Sequence, residues 1–473
     1  MPLHRPVPCP YNVPVPRWLL AAFLSGAAVA AQGAKTYVPG ADATAVHQLL
    51  RDDLIPADLA GTTPDQLSAL WPAWIEARDA AIRARVDAGD EDSIVHLLLF
   101  GTSFTTRPRA SQGDLNALVK DPTQALASLR LRIADFAAAI AAPGTNERMQ
   151  FARGVVERRG IDPATDAGRT ALLGYLEERT VTVGGAVRAL GLPDAELADQ
   201  LTLFRDRGLS SDTSVFIGHG VDEALEVVRS ERDNDGPLRT GTVRRVAIVG
   251  PGLDFTDKLE GYDFYPQQTI QPFALVDSLL RYGLSLDDEL EVTAFDLSPR
   301  VLQHLEAARQ RAKAGTPYRI VLPRNPDRPW SPALVDYWQR VGNHVGTNSA
   351  AITPPGAGRV AIRRVEVRPS VVLSIAAKDL NVVTERLDPL PADQQFDLVV
   401  ATNILLYYGV FEQSLAAANI AAMLKPGGVL LTNNRIFELP AVPLVGVGFT
   451  DSVYMTIAGV GNTGDRLIRY QKQ

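Results

Sequence analysis

Short apolar runs rich in valine and isoleucine alternate with helical segments through the second half of this chain. The runs occupy residues 246–249, 290–295, 371–375, 398–401 and 429–432. Such alternation is typical of β-α-β units, whose strands lie parallel in a buried sheet with helices on its faces. The pattern therefore predicts an α/β domain in this half of the protein.

The first half has a helical pattern instead. Apolar residues recur at helical spacing between residues 45 and 230, and Thr63-Pro64-Asp65-Gln66 gives an N-cap, a first-turn proline and a capping-box partner. A further helix is predicted from Pro193. Residues 231–242 are charged, contain glycine and proline, and indicate a linker. We expect an all-α domain of unassigned role at 45–230 and a second domain at 243–473.

The N-terminus resembles a targeting leader. Two arginines precede an apolar run of 14 residues at 18–31, and Ala28-Val29-Ala30 has the small-x-small form of a cleavage site. The run is shorter than the about 20 residues of a spanning helix. Residues 1–31 are therefore a candidate signal peptide or a segment for membrane association, and a disordered leader is the alternative.

Composition restricts the class of protein. Of 473 residues, 46% are hydrophobic and 21% are charged, as in ordinary globular proteins. The formal net charge of -7, without a long basic run, disfavours binding to nucleic acid. The single cysteine, Cys9, rules out an intramolecular disulfide and a cysteine-based zinc site, and the six histidines form no metal-binding motif. No metal is expected, and the oligomeric state is open.

The first strand of the second half ends in a glycine turn. Residues 243–249 run directly into Gly250-Pro251-Gly252, where glycines permit a sharp turn and the close approach of a ligand. The next strand ends at Asp296, whose carboxylate can accept hydrogen bonds from both hydroxyl groups of a ribose. An N-cap for the helix that follows Pro299 is a compatible second interpretation.

Three later motifs also lie at or beside the predicted strands. Asp379-Leu380-Asn381 comes after the third apolar run, where a carboxylate could bind an adenine amino group while leucine packs on the ring. FDLVVATN, residues 396–403, is a strand with a polar tip at Asn403. LKPGGVLL, residues 424–431, reads as a helix end, a turn and a strand.

Together these blocks resemble class I S-adenosylmethionine-dependent methyltransferases, over about half of the chain. VAIVGPGLD resembles the glycine motif of that family, VTAFDLSP its acidic second strand, and LKPGGVLL its helix-turn-strand block. FDLVVATNILLYY is also similar to the chemotaxis-receptor glutamate methyltransferases, which place a helical domain before the catalytic one. The resemblance implies a Rossmann-like sheet of seven strands with an antiparallel last strand, formed by a hairpin of 452–458 and 465–471.

The resemblance also implies a cofactor and a site. The cofactor is S-adenosylmethionine, and its binding falls to Gly250, Gly252, Asp254, Asp296, Leu297, Asp379, Leu380 and Asn403. The chain departs from the family pattern at Asp254, which replaces the third glycine. Residues 253–270 form an insert that the family pattern lacks. We interpret this insert as a lid or substrate loop, and a surface excursion is the alternative. Residues 311–360 form a second insertion.

The class of methyl acceptor is inferred from the motifs and from the chemistry of methyl transfer. The Asn/Asp-Pro-Pro-aromatic motif of amine methylation is missing after Val400, which favours an oxygen acceptor on a small molecule or protein, with a carboxylate as one candidate. His344, Tyr407 and Tyr408 are candidate bases, needed only where the acceptor must lose a proton. A nicotinamide dehydrogenase and a non-catalytic protein of the same fold are the rival functions. An enzyme of this kind is expected in the cytoplasm or at the inner membrane, and outside it only if the leader directs export.

Overall fold

The computed structural model describes residues 33–190, 207–230, 238–239, 241–257, 260–351, 359–457, 459 and 461–473, without the side chains of 184–190. The predicted leader at 1–31 and the helix predicted from Pro193 lie outside the described residues, as does the linker up to residue 237. Among the described helices, none combines the length and the apolarity that crossing a bilayer demands.

The first half is mainly helical. After a short strand, β1 (Lys35–Tyr37), it contains helices α1 (Gly40–His47), α2 (Pro64–Phe100), α3 (Gln112–Lys120), α4 (Pro122–Ala141), α5 (Glu147–Arg158), α6 (Asp166–Leu190) and α7 (Val215–Ser230), with a 3-10 turn at Asp52–Leu54. The predicted start of α2 is confirmed, because Thr63 and Gln66 form a reciprocal capping box.

The second half alternates strands and helices. Its strands are β2 (Arg245–Val249), β3 (Glu291–Asp296), β4 (Tyr318–Arg324), β5 (Gly346–Ser349), β6 (Ala361–Val367), β7 (Ile375–Asp379), β8 (Glu385–Leu387), β9 (Phe396–Ala401), β10 (Leu424–Thr432), β11 (Leu444–Ile457) and β12 (Gly461–Lys472). Its helices are α8 (Gln271–Arg281), α9 (Pro299–Lys313), α10 (Pro332–Arg340), α11 (Pro369–Leu373) and α12 (Val410–Met423), with a 3-10 turn at Leu405–Tyr407.

Seven strands form the main sheet in the order β11-β12-β10-β9-β2-β3-β7. Strands β7, β3, β2, β9 and β10 pair in parallel, and β12 runs antiparallel to both β10 and β11. The expected Rossmann-like sheet with an antiparallel last strand is confirmed. The hairpin β11–β12 is also confirmed, with longer strands than the sequence indicated.

One predicted strand is wrong. Residues 371–375 were expected to be extended, but most of them belong to the short helix α11, and the strand starts only at Ile375. Pro369 stands in the first turn of α11, where its fixed φ favours a helix. A short apolar run fits a buried helix as well as a buried strand, so periodicity alone could not separate the two.

Helix α2 is 37 residues long and belongs to two hydrophobic clusters. Its first half, with Trp71, Ile75 and Ile82, packs in the cluster that contains Val249 and Val399 of the sheet. Its last turns, residues 94–99, pack with α4, α5 and α6 in a separate cluster. The domain boundaries stay a prediction, but α2 carries apolar packing from the helical half onto the sheet.

Candidate functional site

A cavity of about 330 Å³ lies at the carboxyl ends of β2, β3 and β9 and just beyond the end of β7. The chain order reverses between β2 and β9, since β3 and β7 lie on one side of β2 and β10 on the other. In open parallel sheets, ligands bind at this type of reversal. The volume falls in the range of small-molecule sites. We refer to it below as the first cavity.

The glycine turn after β2 forms one wall of the first cavity. Gly250 and Gly252 have φ values of 66° and 63°, a region that favours glycine. The N–H of Gly250 donates to the carbonyl oxygen of Phe295 on β3 at 2.8 Å. A Cβ atom on Gly252 would lie 2.6 Å from the carbonyl oxygen of Ser211. The turn is therefore fixed from two sides, and both predicted glycines line the cavity.

Asp296 ends β3 and is buried in the cavity wall, next to Leu297. Its Oδ1 accepts a hydrogen bond from the N–H of Ser298 at 2.8 Å. Burial raises the pKa of Asp296 to about 6, and the main-chain N–H groups of Ser298, Gly252 and Leu297 counteract part of that rise. A carboxylate offers about four lone-pair positions, so it can accept further hydrogen bonds from a ligand.

Two neighbouring polar atoms lack a partner among the described residues. The Oγ of Ser298 and the Oε1 of Gln271 are buried in this wall, although Gln271 donates from Nε2 to Thr213 at 2.9 Å. Buried polar atoms are nearly always satisfied by protein, water or ligand. The wall around Asp296 thus has the hydrogen-bonding capacity that a polar ligand requires.

Asn403 follows β9 and adopts a left-handed conformation, with φ at 58°. Its N–H donates to Oδ1 of Asn433 at 2.8 Å, and Nδ2 of Asn433 donates to Oδ1 of Asn403 at 2.6 Å. Strained backbone in a non-glycine residue is concentrated at functional sites. Asn403 lines the first cavity as predicted. Sequence reasoning missed this contact with Asn433. The only hint in the sequence was that polar residues follow β10 directly, as Asn403 follows β9.

The structure places Asp379 outside the cavity, and its adenine role stays a prediction. Leu380 and Asn381 line the cavity at the end of β7, but Asp379 does not. Its carboxylate pairs with Arg83 of α2 at 2.7 Å and with Lys35 at 3.5 Å, and 45% of its side chain is exposed. The sequence could not show this competing partner, because Arg83 lies almost 300 positions away.

Asp254 also lies outside the cavity. Its buried carboxylate accepts hydrogen bonds at 2.9 Å from the hydroxyl of Tyr265 and from Nε2 of Gln268, outside the cavity. Burial raises its pKa to about 7. None of the described residues of the 253–270 insert lines the cavity, so the lid interpretation stays a prediction. The insert packs on the helical half instead, where Asp263 accepts hydrogen bonds from the N–H groups of Thr102 and Ser103.

Residues 209–214, here called the strap, form part of the cavity wall beside the glycine turn. The strap is bonded to the glycine turn, with Leu253 N–H donating to Ser211 at 2.7 Å and Thr213 N–H donating to Leu253 at 2.9 Å. Arg300 holds its outer side, donating from Nη2 to the Ser211 hydroxyl at 2.6 Å. Sequence reasoning missed the strap, whose polar SSDTS stretch before α7 was the only visible signal.

The structure places only two of the three candidate bases at the first cavity. Tyr407 and Tyr408 line the first cavity, whereas His344 does not and is 45% exposed at its side chain beside Asp277. Burial raises the pKa of both tyrosines, so each phenol stays protonated near neutral pH. Across the described residues there is no group of three or more His, Cys, Asp and Glu side chains placed to hold a metal ion.

Neither a protein-family model nor a curated protein matches this chain. Solved structures align with part of it. A TehB-like SAM-dependent methyltransferase from Corynebacterium glutamicum aligns at 10% identity and a TM-score of 0.23, over 54% of this chain and 88% of that one. Magnesium protoporphyrin IX methyltransferase from Synechocystis, with bound SAM, aligns at 11% identity and 0.24, over 60% and 88%. TrmN from Thermus thermophilus aligns at 13% identity and 0.25, over 63% and 68%. The fold assignment itself rests on the strand order.

Proposed function

We propose that this protein transfers a methyl group from S-adenosylmethionine to an oxygen atom of a small molecule or a protein side chain. The first cavity supports the proposal by its position and its residues. The turn at Gly250 and Gly252 would pass under the methionine part, Asp296 would hold the ribose, and Leu380 would pack on the adenine. When bound, this cofactor supplies an electrophilic methyl group on a sulfonium. Positioning an acceptor against it can provide much of the rate acceleration.

The buried carboxylate of Asp296 at the cavity wall is the observation that carries the proposal. Calorimetric titration of the full chain with S-adenosylmethionine and S-adenosylhomocysteine tests it. Each charge-assisted hydrogen bond contributes on the order of 1.5–3 kcal/mol, so Asp296→Ala should weaken binding by about tenfold or more.

Asp451→Ala is the matched control, because Asp451 is an exposed carboxylate paired with Arg466 on the hairpin. It should bind both ligands as the wild type does. Equal heats from wild type and Asp296→Ala would remove Asp296 from the site. Stabilisation against heat by NADH, with none by S-adenosylmethionine, would favour the dehydrogenase instead.

Two further proposals concern the methyl acceptor and the location of the protein in the cell. The likeness to chemotaxis-receptor methyltransferases rests on sequence motifs alone and favours a carboxylate acceptor. We further propose that the protein works in the cytoplasm or at the inner face of the membrane, where the methyl donor is made. Mass spectrometry of the native N-terminus tests the location. A mature chain that starts near Ala31 and is recovered outside the cytoplasm would contradict it.

A further inference from the structure

The charged side chains among the described residues that line the first cavity are all acidic. They are Asp212 and Asp296, and none of the described lining residues is a lysine, an arginine or a histidine. Asp296 ends β3, whereas Asp212 belongs to the strap. A wall with two carboxylates and no basic side chain favours a ligand group that carries positive charge.

Asp212 lies beside the glycine turn. Its main chain pairs with that of Leu253 in an isolated parallel bridge, and Leu253 directly follows Gly252. The N–H of Gly252 in turn donates to the carboxylate of Asp296. Both carboxylates therefore belong to segments that are bonded to this turn. The proposed function places the methionine part of the cofactor at the same turn, within the neighbourhood of Asp212.

The carboxylate of Asp212 keeps one oxygen available to a ligand. Only 7% of its side chain is exposed, and its Oδ1 accepts from Nη2 of Arg300 at 3.3 Å. Its Oδ2 has no hydrogen-bond partner among the described residues. Buried polar atoms are nearly always satisfied by protein, water or ligand. Oδ2 can thus accept a hydrogen bond from a donor in the cavity.

The positive charge that pairs with Asp212 stands outside the cavity lining. The guanidinium carbon of Arg300 lies 4.2 Å from the ring centroid of Phe151 and 4.8 Å from that of Phe255. Its Nη2 also donates to the hydroxyl of Ser211 at 2.6 Å. Arg300 therefore fixes the strap from behind, and a single guanidinium against two carboxylates leaves the wall with net negative charge.

We infer that Asp212 binds the ammonium group of the methionine part of the cofactor, which makes the strap a cofactor-recognition segment. This inference rests on the proposed function. Asp296 and Asp212 would then hold two different parts of one ligand, the ribose hydroxyl groups and the ammonium group. Hydrogen bonds between an ammonium group and a carboxylate are about twice as strong as bonds between neutral groups.

The test is a thermodynamic cycle with two ligands: S-adenosylhomocysteine and its deaminated analogue, in which hydrogen replaces the amino group. Each is titrated calorimetrically into the full chain. The wild type should bind S-adenosylhomocysteine about tenfold or more tightly than the analogue, because only the former has an ammonium group. Asp212→Asn keeps the shape of the side chain and removes its charge. It should lose about tenfold in affinity for S-adenosylhomocysteine and little for the analogue, so that the preference disappears.

Asp296→Asn is the matched control. It makes the same change from carboxylate to amide on the same cavity wall. Both ligands carry the ribose, so this variant should weaken both by the same factor and keep the preference of the wild type. The ratio of the two affinities therefore separates recognition of the ammonium group from a general disturbance of the cavity.

Equal binding of the two ligands by the wild type would overturn the inference. An Asp212→Asn variant that keeps the wild-type preference would also overturn it, whether both affinities are unchanged or both fall together, because Asp212 would then have at most a structural role. Either result leaves the proposed function standing, since S-adenosylhomocysteine binds. A wild type that does not bind S-adenosylhomocysteine would overturn the proposed function.

Discussion

The two sides of the first cavity are built in different ways. On the sheet side, the glycine turn, Asp296 and Asn403 follow strands whose ladder hydrogen bonds fix their positions. On the helical side, the strap has no ladder of its own and is held between α2 and the glycine turn. The sheet side offers buried polar groups to a ligand, and residues of the helical half line the rest of the cavity. Under the proposed function, cofactor affinity should therefore depend on both halves of the chain.

Close main-chain contact holds the helical side. A Cβ atom on Gly89 of α2 would lie 1.9 Å from the carbonyl oxygen of Leu209, and one on Gly208 would lie 2.1 Å from the main-chain nitrogen of Gly89. The N–H of Leu209 also donates to the carbonyl oxygen of Arg85 at 2.9 Å. The strap can approach α2 this closely because Gly89 on α2 and Gly208, directly before the strap, carry no side chain.

The largest expected effect comes from Gly89→Ala. In a helix interior this exchange usually stabilises by about 0.5–1 kcal/mol, but here the methyl group meets a main-chain carbonyl, and such overpacking costs about 3 kcal/mol. Chemical denaturation measures the difference. Gly154→Ala, in α5 with open space around the glycine, is the control and should stabilise. If both variants behave alike, the strap does not touch α2 at this position.

Gly252→Ala should have the next largest effect. The left-handed φ costs about 1–2 kcal/mol for alanine, and the contact with Ser211 adds to it. Gly241 has a similar φ of 67° with nothing within 4 Å, so Gly241→Ala measures the backbone cost alone. The difference in unfolding free energy between the two variants isolates the contact with the strap. A difference of zero would contradict that contact.

The pH dependence of cofactor binding tests the sheet side. The raised pKa of Asp296 means that its ionisation costs folding stability as pH rises from the ordinary carboxyl range through about 6. Ribose hydroxyl groups need the ionised form, so the affinity for S-adenosylhomocysteine should fall as pH drops below about 6, approaching about tenfold per pH unit. Titrations between pH 5 and 8, about one to two units around that pKa, measure it. Asp296→Asn should bind weakly at every pH, and an unchanged slope in that variant would assign the titration to another group.

The smallest effect is expected from Asp379→Ala. The ion pair of Asp379 with Arg83 is partly exposed, and such pairs contribute about 0.2–1 kcal/mol. Affinity for S-adenosylhomocysteine should change by about twofold at most, far less than in Asp296→Ala. A loss as large as that of Asp296→Ala would restore the adenine role that the sequence suggested for Asp379. Calorimetry of both variants in one buffer decides between them.

The sequence was informative wherever the position of a residue follows from local geometry. The places of Gly250, Gly252, Asp296 and Asn403 at the cavity could be predicted because a parallel strand carries the residues at its carboxyl end to one edge of the sheet. Asp254 and Asp379 stand at similar positions, yet Tyr265 and Arg83 bind their carboxylates. The strap was missed for the same reason, since its contacts with Leu253, Arg300 and Arg85 join residues tens of positions apart or more. Competition among distant partners is decided by packing, which periodicity does not reveal.

Helix α2 has a practical consequence for anyone who would study the sheet half by itself. Residues 243–473 alone would lack Trp71, Ile75 and Ile82, which cover apolar residues of the sheet and of α12. That fragment would expose a broad hydrophobic surface to water and would tend to aggregate. It would also lack Val86 and the strap. The smallest piece worth purifying therefore begins before Pro64.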